Sequence, residues 1–318
     1  MDYQHQANIL LEQQKQDWDL LRINHKGLAK VRTRQYAFNG FTIHMQFNPE
    51  RIRSSGAKVD KKSIEDRPCF LCKNNRPPEQ QQVVYKDTYD ILCNPFPIFD
   101  QHYTIAKMDH SPQLIKQNFK DILSLSKDLP DLAVFYNGPL CGASAPDHFH
   151  FQAGNRGLMP IEVEHAVLAD TYGKILYKHE DTVVHAINDG LRTFISIESF
   201  NLDMISRVFH TTYGLLDVDV DEDEPMMNIL SWWNEDRWRI LIFLREKHRP
   251  RQYFEEGEGN ILFSPAAVDL GGTLIIPLQK DFDKLTREEI GDMFRQISLS
   301  AEHFETVITA LTHKLRNT

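Results

Sequence analysis

Histidines alternate with phenylalanines in the segment His148-Phe149-His150-Phe151-Gln152. If the segment is a β-strand, the two histidines and the glutamine share one face, and the phenylalanines pack on the other. A neutral imidazole is a good nucleophile towards phosphorus, and it also binds zinc. A half-buried strand whose polar face carries histidines without a function has the same spacing. The segment therefore predicts either a reactive or metal-binding strand, or an ordinary one.

A Cys-x-x-Cys turn formed by Cys69 and Cys72 is the second group of residues suited to chemistry. Two thiolates at this spacing can approach one ion, and zinc prefers four nitrogen or sulfur ligands in a tetrahedron. The chain has 4 cysteines, and the other two, Cys93 and Cys141, lie in apolar segments typical of core thiols. Histidines must therefore supply the remaining ligands of a zinc site.

Other interpretations of the cysteine turn fit less well. No closely spaced histidine pair follows at the distance that a zinc finger requires. A redox pair would enclose small residues or Pro-Gly, whereas this turn encloses Phe70-Leu71 and follows Arg67-Pro68. A disulfide is disfavoured because nothing marks the chain as secreted.

Together and in this order, the two features resemble the galactose-1-phosphate uridylyltransferase branch of the histidine-triad superfamily. That branch includes the dinucleoside tetraphosphate phosphorylases and the GDP-galactose phosphorylases. Further segments are similar to its motifs: residues 46–51 with 54–58, 67–72, 94–98 with His102, 109–111, 137–138, 142–144 and 264–272. Because separate motifs occur in register, the resemblance is stronger than any single motif.

The resemblance implies a role for each residue of the two groups. His150 matches the covalent nucleophile, and Gln152 matches the amide that holds the phosphoryl oxygens. The implied ligands of a structural zinc ion, whose closed shell leaves no open position for water, are Cys69, Cys72, His110 and His148.

Substrate-binding residues are expected in the matching loops and among nearby cations. The set comprises Asn48, Arg51, Lys58, Asn94, Asn137, Ser144, Arg156 and Arg249. Arg249 belongs to a basic run over residues 245–251, which is interpreted either as a phosphate clamp or as a solvated strand end. Asn94 is interpreted either as a substrate ligand or as a turn cap. Three residues separate Ser144 from His148 where the family usually has two.

The implied activity is nucleotidyl transfer in two displacements. A nucleotide sugar or dinucleoside polyphosphate would form a nucleotidyl-histidine, and a sugar 1-phosphate or phosphate would then accept the nucleotide. Phe149 and Phe151 stand where the family commonly has a proline and a small residue, and they resemble the phosphorylase branch. The alternatives are a nucleotide hydrolase of the same superfamily and a non-catalytic, zinc-stabilised nucleotide-binding module.

Composition narrows the class of protein. The chain has 318 residues, of which 41% are hydrophobic and 25% charged, as in ordinary globular proteins. A formal net charge of -9 disfavours nucleic acid as a partner, and no apolar run approaches the ~20 residues that cross a bilayer. The expected partners are a nucleotide with a phosphorylated sugar or phosphate, and a homodimer is compatible with the family. Few cysteines predict a cytoplasmic location.

The pattern of the whole chain predicts an α+β fold with HIT-like antiparallel sheets, packed helices and two pseudo-repeated halves. Residues 1–215 would form the catalytic half with the zinc site, and residues 216–318 a degenerate second half. The expected helices cover residues 8–28, 111–129 and 286–315. The expected strands cover residues 31–47 as a hairpin about Asn39-Gly40, 83–105 as two strands, 132–136, 148–152, 227–245 as a hairpin, 262 and 271–277. A polar loop over residues 50–82 would be ordered by the metal, and the acidic stretch 217–224 would be a solvated loop or linker.

Overall fold

The computed structural model describes residues 2–52 and 60–316 of the chain. Lys58, a predicted substrate ligand, lies outside these ranges. The helices of the described residues are α1 (Tyr3–Asp17), α2 (Asp19–Gly27), α3 (Lys61–Glu65), α4 (Phe119–Asp128), α5 (Ile161–Tyr172), α6 (Leu202–Tyr213), α7 (Ala267–Leu270), α8 (Gln279–Lys284), α9 (Arg287–Ile297) and α10 (Ala301–Arg316). None of them is both long and apolar enough to cross a membrane.

Thirteen strands form two sheets in the described part of the chain. Their bounds are β1 (Arg32–Phe38), β2 (Phe41–Phe47), β3 (Gln82–Tyr85), β4 (Tyr89–Cys93), β5 (His102–Lys107), β6 (Leu132–Asn137), β7 (His150–Asn155), β8 (Gly173–His179), β9 (Thr182–Asn188), β10 (Thr193–Ser199), β11 (Met227–Asn234), β12 (Arg237–Leu244) and β13 (Thr273–Ile276). These sheets and the helices that cover them confirm the predicted α+β class.

The larger sheet contains an internal repeat. Its strand order is β3-β4-β5-β7-β6-β11-β12-β10-β9-β8, so each strand of the first five has a counterpart five strands later in the chain. Helix α4 follows the third strand of the first copy, and α6 follows the third strand of the second. Antiparallel pairing of β6 with β11 joins the copies into one continuous sheet. The predicted boundary at 215/216 falls inside the second copy, between α6 and β11.

Both faces of this sheet are covered, which explains why its central strands are apolar on both sides. In β6, Val134 and Tyr136 pack into the core beneath α4 and α6, whereas Ala133 and Phe135 pack into a second core on the opposite face. That second core is closed by the small sheet β1-β2-β13, in which β1 and β2 form the predicted hairpin.

The helix predicted over residues 111–129 is wrong in its first half, because α4 begins only at Phe119. Pro112 disfavours helical geometry in the residue before it, and residues 111–118 instead run as an irregular segment beside β7. That strand was predicted over residues 148–152 but begins at His150, so His148 lies in the turn before it.

Smaller corrections concern four other segments. Residues 83–105 contribute to three strands rather than two, and Ser298 ends α9 so that the predicted terminal helix is two helices. Leu262 lies outside the strands because its backbone amide donates to the Asp281 carboxylate instead of to a carbonyl of a neighbouring strand. Within the acidic stretch, Glu224 is buried rather than solvated.

Candidate active site

The segment with alternating histidines follows the predicted alternation from the start of β7 onwards. Phe149 and Phe151 are fully buried in the core beneath α4, with ring centroids 4.9 Å apart. His150 and Gln152 point to the opposite face and line a cleft of about 610 Å³. One face of the strand therefore lines the cleft, and its other face is packed into an aromatic core.

The ring of His150 has a fixed orientation. Its Nδ1–H donates to the carbonyl oxygen of His148, 2.8 Å away. The proton is thereby held on Nδ1, and the lone pair of Nε2 remains available on the side of the cleft. Burial lowers the pKa of His150 to about 4, so the imidazole is neutral near pH 7. A neutral, oriented imidazole is what a nucleophile for phosphorus requires.

Gln152 is oriented by a buried histidine of β5. His102 is 1% exposed, its Nδ1 accepts from the amide of Ile98 at 3.1 Å, and its Nε2 contacts Oε1 of Gln152 at 3.0 Å. Because Nδ1 accepts, Nε2 carries the proton and donates to Gln152. Burial and the nearby Arg51 cation lower the pKa of His102 to about 3.

The cleft combines an apolar wall with a polar end. Its apolar lining consists of Trp18, Leu20, Phe70, Leu71, Pro77, Leu92, Pro95 and Phe96. Its polar lining includes His150, Gln152, Arg51, Asn94 and Ser144. Such a site suits a ligand with one flat, apolar part and one strongly polar part.

A smaller cavity of about 50 Å³ adjoins the polar end and shares Arg51, Ser144 and Gln152 with the cleft. Its far side comes from residues after the second copy of the repeat. There, Arg249 donates from Nε to Ser264 Oγ at 2.9 Å.

The guanidinium of Arg249 also stacks over Tyr253, with Cζ 4.0 Å from the ring centroid. Among the described residues, no carboxylate pairs with Arg249. Asp269 also lines the cavity, but its two carboxylate oxygens accept from the backbone amides of Ala266 and Ile275. The positive charge of Arg249 is therefore directed at the cavity without a competing ion pair.

The four predicted zinc ligands lie together. Their ligand atoms, from Cys69, Cys72, His110 and His148, are all within 4.8 Å of one another. Nδ1 of His148 is 3.3 Å from Cys69 Sγ, and Nδ1 of His110 is 3.2 Å from Cys72 Sγ. Sulfur and nitrogen ligands of one tetrahedral zinc ion stand about 3.5 Å apart, so the donor set and its spacing fit zinc.

Residues around the candidate metal group orient its ligands. Nε2–H of His148 donates to the carbonyl of Lys107 at 2.7 Å, which leaves Nδ1 as the metal-binding atom. Arg67, just before the cysteine turn, forms an ion pair with Asp147 at 2.8 Å. The candidate metal group and this ion pair thus connect residues 67–72 to the turn that precedes His150.

Several predicted substrate ligands have other partners. Asn48 is buried and donates to the carbonyl of Pro97 at 3.2 Å. Asn94 lines the cleft and also caps its turn by accepting from the amide of Phe96. Arg156 lies outside both cavities, where it donates to the carbonyl of Trp233 at 2.7 Å.

The basic run 245–251 does not act as one patch. Arg245 is buried and bonded to Asn228 at 2.6 Å, whereas Arg251 is exposed and paired with Asp292 at 3.1 Å. Only His248 and Arg249 of the run line the smaller cavity. Local sequence patterns assign no individual role to His248, Ser264 or the buried Gln113, because their contacts come from residues distant in sequence.

Two comparisons confirm the predicted resemblance: a family model over the second half of the chain and the fold of a solved dinucleoside tetraphosphate phosphorylase. Residues 167–318 match the family described as GDPGP1-like, C-terminal domain. Residues 10–155 match a domain of unknown function, DUF4922. No curated protein matches the chain.

Solved structures of the yeast Ap4A phosphorylase Apa2 have the same fold. The enzyme alone is 12% identical and aligns over 89% of this chain and 98% of its own, with a TM-score of 0.56. Its complex with AMP is 12% identical and aligns over 92% and 97%, with a TM-score of 0.55. Its complex with Ap4A is 12% identical and aligns over 88% and 96%, with a TM-score of 0.53.

Proposed function

We propose that the protein is a nucleotidyltransferase or phosphorylase that works through a covalent nucleotidyl-His150 intermediate. The observation that carries this proposal is the hydrogen bond of 2.8 Å from His150 Nδ1 to the His148 carbonyl. It leaves the Nε2 lone pair facing a cleft whose polar end also holds Gln152.

In the first step, Nε2 of His150 forms a bond to the α-phosphorus of the nucleotide. The bond from that phosphorus to the bridging oxygen breaks, and the leaving group departs with the oxygen and the electron pair. The amide of Gln152 donates to the non-bridging oxygens, where negative charge increases. In the second step, an oxygen of the acceptor attacks the same phosphorus, and the electron pair of the P–N bond returns to Nε2.

The nucleoside would occupy the apolar part of the cleft. Trp18, Phe70 and Phe96 line it, and aromatic and apolar faces of this kind accept a base by stacking. The likeness to a phosphorylase whose structures contain AMP and Ap4A supports a nucleotide as substrate.

The acceptor would be phosphate or a sugar 1-phosphate whose phosphate occupies the smaller cavity. A volume of about 50 Å³ matches a group of a few heavy atoms. Arg249, fixed by Ser264 and Tyr253, presents a cation to it. Water needs no such cation, so this arrangement favours transfer over hydrolysis.

A metal at this site would stabilise the structure and would take no part in the reaction. Cys69, Cys72, His110 and His148 would hold zinc with a complete shell of four protein ligands. Zinc bound there would stiffen the polar loop and fix the turn that contains the His148 carbonyl. Every reacting atom belongs to His150, the substrate or the acceptor.

Isotope exchange tests the proposal. Labelled phosphate or sugar 1-phosphate, mixed with the protein and a panel of nucleotide sugars and dinucleoside polyphosphates, should enter a nucleoside diphosphate or a nucleotide sugar. Release of nucleoside monophosphate alone, at a rate indifferent to the added acceptor, would show that the protein is a hydrolase.

A further inference from the structure

The ladder between β6 and β7 stops just before the nucleophile. Pairing runs from Leu132 opposite Asn155 to Phe135 opposite Gln152. Continued by two residues, the same register would place Asn137 opposite His150. Both residues belong to their strands, yet the ladder does not include this pair.

The side chain of Gln113 takes the place of the missing ladder bonds. Its Nε2 donates to the carbonyl of Asn137 at 3.0 Å and to that of His150 at 2.9 Å. Its Oε1 accepts from the amide of His150 at 2.8 Å. A carboxamide has an oxygen acceptor like a peptide group but two N–H donors instead of one, so it can bridge two strands that do not meet directly.

Gln113 is itself held rigidly. It is fully buried. Its backbone amide donates to the carbonyl of Pro146 at 3.1 Å, and its backbone carbonyl accepts from the Tyr136 hydroxyl at 2.8 Å. All its polar groups therefore have partners, and buried polar groups satisfied in this way specify one geometry.

The two strand residues that Gln113 bonds, His150 and Asn137, both line the site. His150 carries the reactive nitrogen, and Asn137 lines the smaller cavity. The side-chain oxygen of Asn137 accepts from Asn228 at 2.9 Å and from the amide of Ala267 at 2.8 Å. Its side-chain amide nitrogen is therefore the group left to face a ligand.

From this geometry we infer that Gln113 is a positioning residue, which sets the distance between the nucleophile on β7 and the acceptor side of the site on β6. The inference rests on the proposed function. Gln113 touches neither cavity, so its effect on the reaction passes through the backbone of His150 and Asn137. A misplacement of about 1 Å at reacting atoms costs on the order of 100-fold in rate.

Gln113→Met removes the bridge while keeping similar volume. We expect nucleotide affinity, set by the apolar cleft, to stay within about threefold. The single-turnover rate of nucleotidyl-enzyme formation should fall on the order of 100-fold. The matched control is Gln4→Met, since Gln4 is a buried glutamine, 8% exposed, that bonds Asn8 and the amide of Asp131 far from the cleft.

Gln113→Glu gives a second measurement if the methionine variant is unstable. A protonated carboxyl can donate to one of the two carbonyls, whereas a carboxylate repels both. The rate of this variant should therefore rise as the pH is lowered, relative to the wild-type profile. A purely structural role would not change the shape of the pH profile.

The outcomes separate the two proposals. Wild-type protein that forms no nucleotidyl adduct refutes the proposed function and this inference with it. Adduct formation at the wild-type rate in Gln113→Met, or an equal loss of rate in a Gln4→Met variant of similar melting temperature, refutes the positioning role alone. An unchanged pH profile in Gln113→Glu refutes it as well.

Discussion

Nε2 of His102 lies 3.0 Å from Oε1 of Gln152, and this contact determines which way the glutamine amide faces. The backbone amide of Ile98 donates to Nδ1 of His102, so that nitrogen carries no proton. Nε2–H is therefore the donor to Gln152, and Oε1 is the acceptor. Gln152 therefore turns its NH₂ group towards the cleft. A buried, neutral histidine thus ensures that a hydrogen-bond donor stands where phosphoryl oxygens would lie.

Replacing His102 with phenylalanine should reduce turnover without abolishing it. The variant keeps an aromatic ring against Phe99 but frees Gln152 to rotate, so we expect a loss of about 10-fold to 100-fold in rate with little change in nucleotide affinity. Steady-state kinetics with separate binding measurements check this. His165→Phe is the control, because His165 is equally buried but bonds Ser196. Equal losses in the two variants would contradict the orienting role.

Arg249→Met should weaken binding of the acceptor and leave binding of the nucleotide unchanged. Removing the cation of the smaller cavity is expected to raise the KM for phosphate or sugar phosphate at least about 10-fold, because a charge-assisted hydrogen bond contributes roughly 1.5–3 kcal/mol. The first half-reaction should proceed at nearly the wild-type rate. Arg251→Met removes an exposed arginine of the same run and should leave both values unchanged. An unchanged acceptor KM in Arg249→Met would place the acceptor elsewhere.

Cys72→Ser should release the metal and lower stability. Elemental analysis should find about one zinc per wild-type chain and much less in the variant. The melting temperature should fall by roughly 10 °C or more, because metal binding is coupled to folding. Cys93→Ala, which alters a buried thiol outside the metal group, is the control for metal content. Stable wild-type protein without metal would overturn the zinc assignment.

Glu224 should make stability depend on pH. Burial raises its pKa from 4.5 to about 7, and its Oε1 lies 2.5 Å from the Tyr136 hydroxyl. Since the folded pKa is the raised one, the protonated form favours folding below pH 4.5, and this contribution is lost as the pH rises through 7. The total is on the order of 3 kcal/mol. Glu224→Gln should flatten this part of the stability profile, measured by denaturant unfolding between pH 4.5 and 8. Parallel profiles for the two proteins would show that Glu224 ionises normally.

Local patterns in the sequence predicted the elements that depend on neighbours in the chain. The Asn39-Gly40 hairpin, the hairpin of β11 and β12, and the inward phenylalanines of β7 follow from turn chemistry and alternation. The Cys-x-x-Cys turn likewise indicated the metal group, whose histidines the family resemblance supplied.

Features that depend on distant partners were not predictable in this way. Gln113 lies in a segment with helical periodicity, and only the gap between β6 and β7 reveals its role. Arg245 was interpreted with its run as part of a phosphate clamp or of a solvated strand end, but it is buried and bonded to Asn228 and to backbone carbonyls. Strands β8–β10 were not predicted as part of a second copy, because β12, the counterpart of β7, carries no histidine that would mark it.

The central claim is that His150 becomes covalently linked to a nucleotide. Wild-type protein and His150→Gln are mixed separately with nucleotide sugars and dinucleoside polyphosphates, without acceptor, and quenched at neutral or alkaline pH. Intact-mass and peptide mass spectrometry then locate any added nucleoside monophosphate.

We expect an adduct of one nucleotidyl group on the peptide containing His150, lost on addition of phosphate or sugar phosphate and absent from His150→Gln. An adduct on another residue, or turnover by His150→Gln within a few-fold of wild type, would contradict the assignment of His150 as the nucleophile.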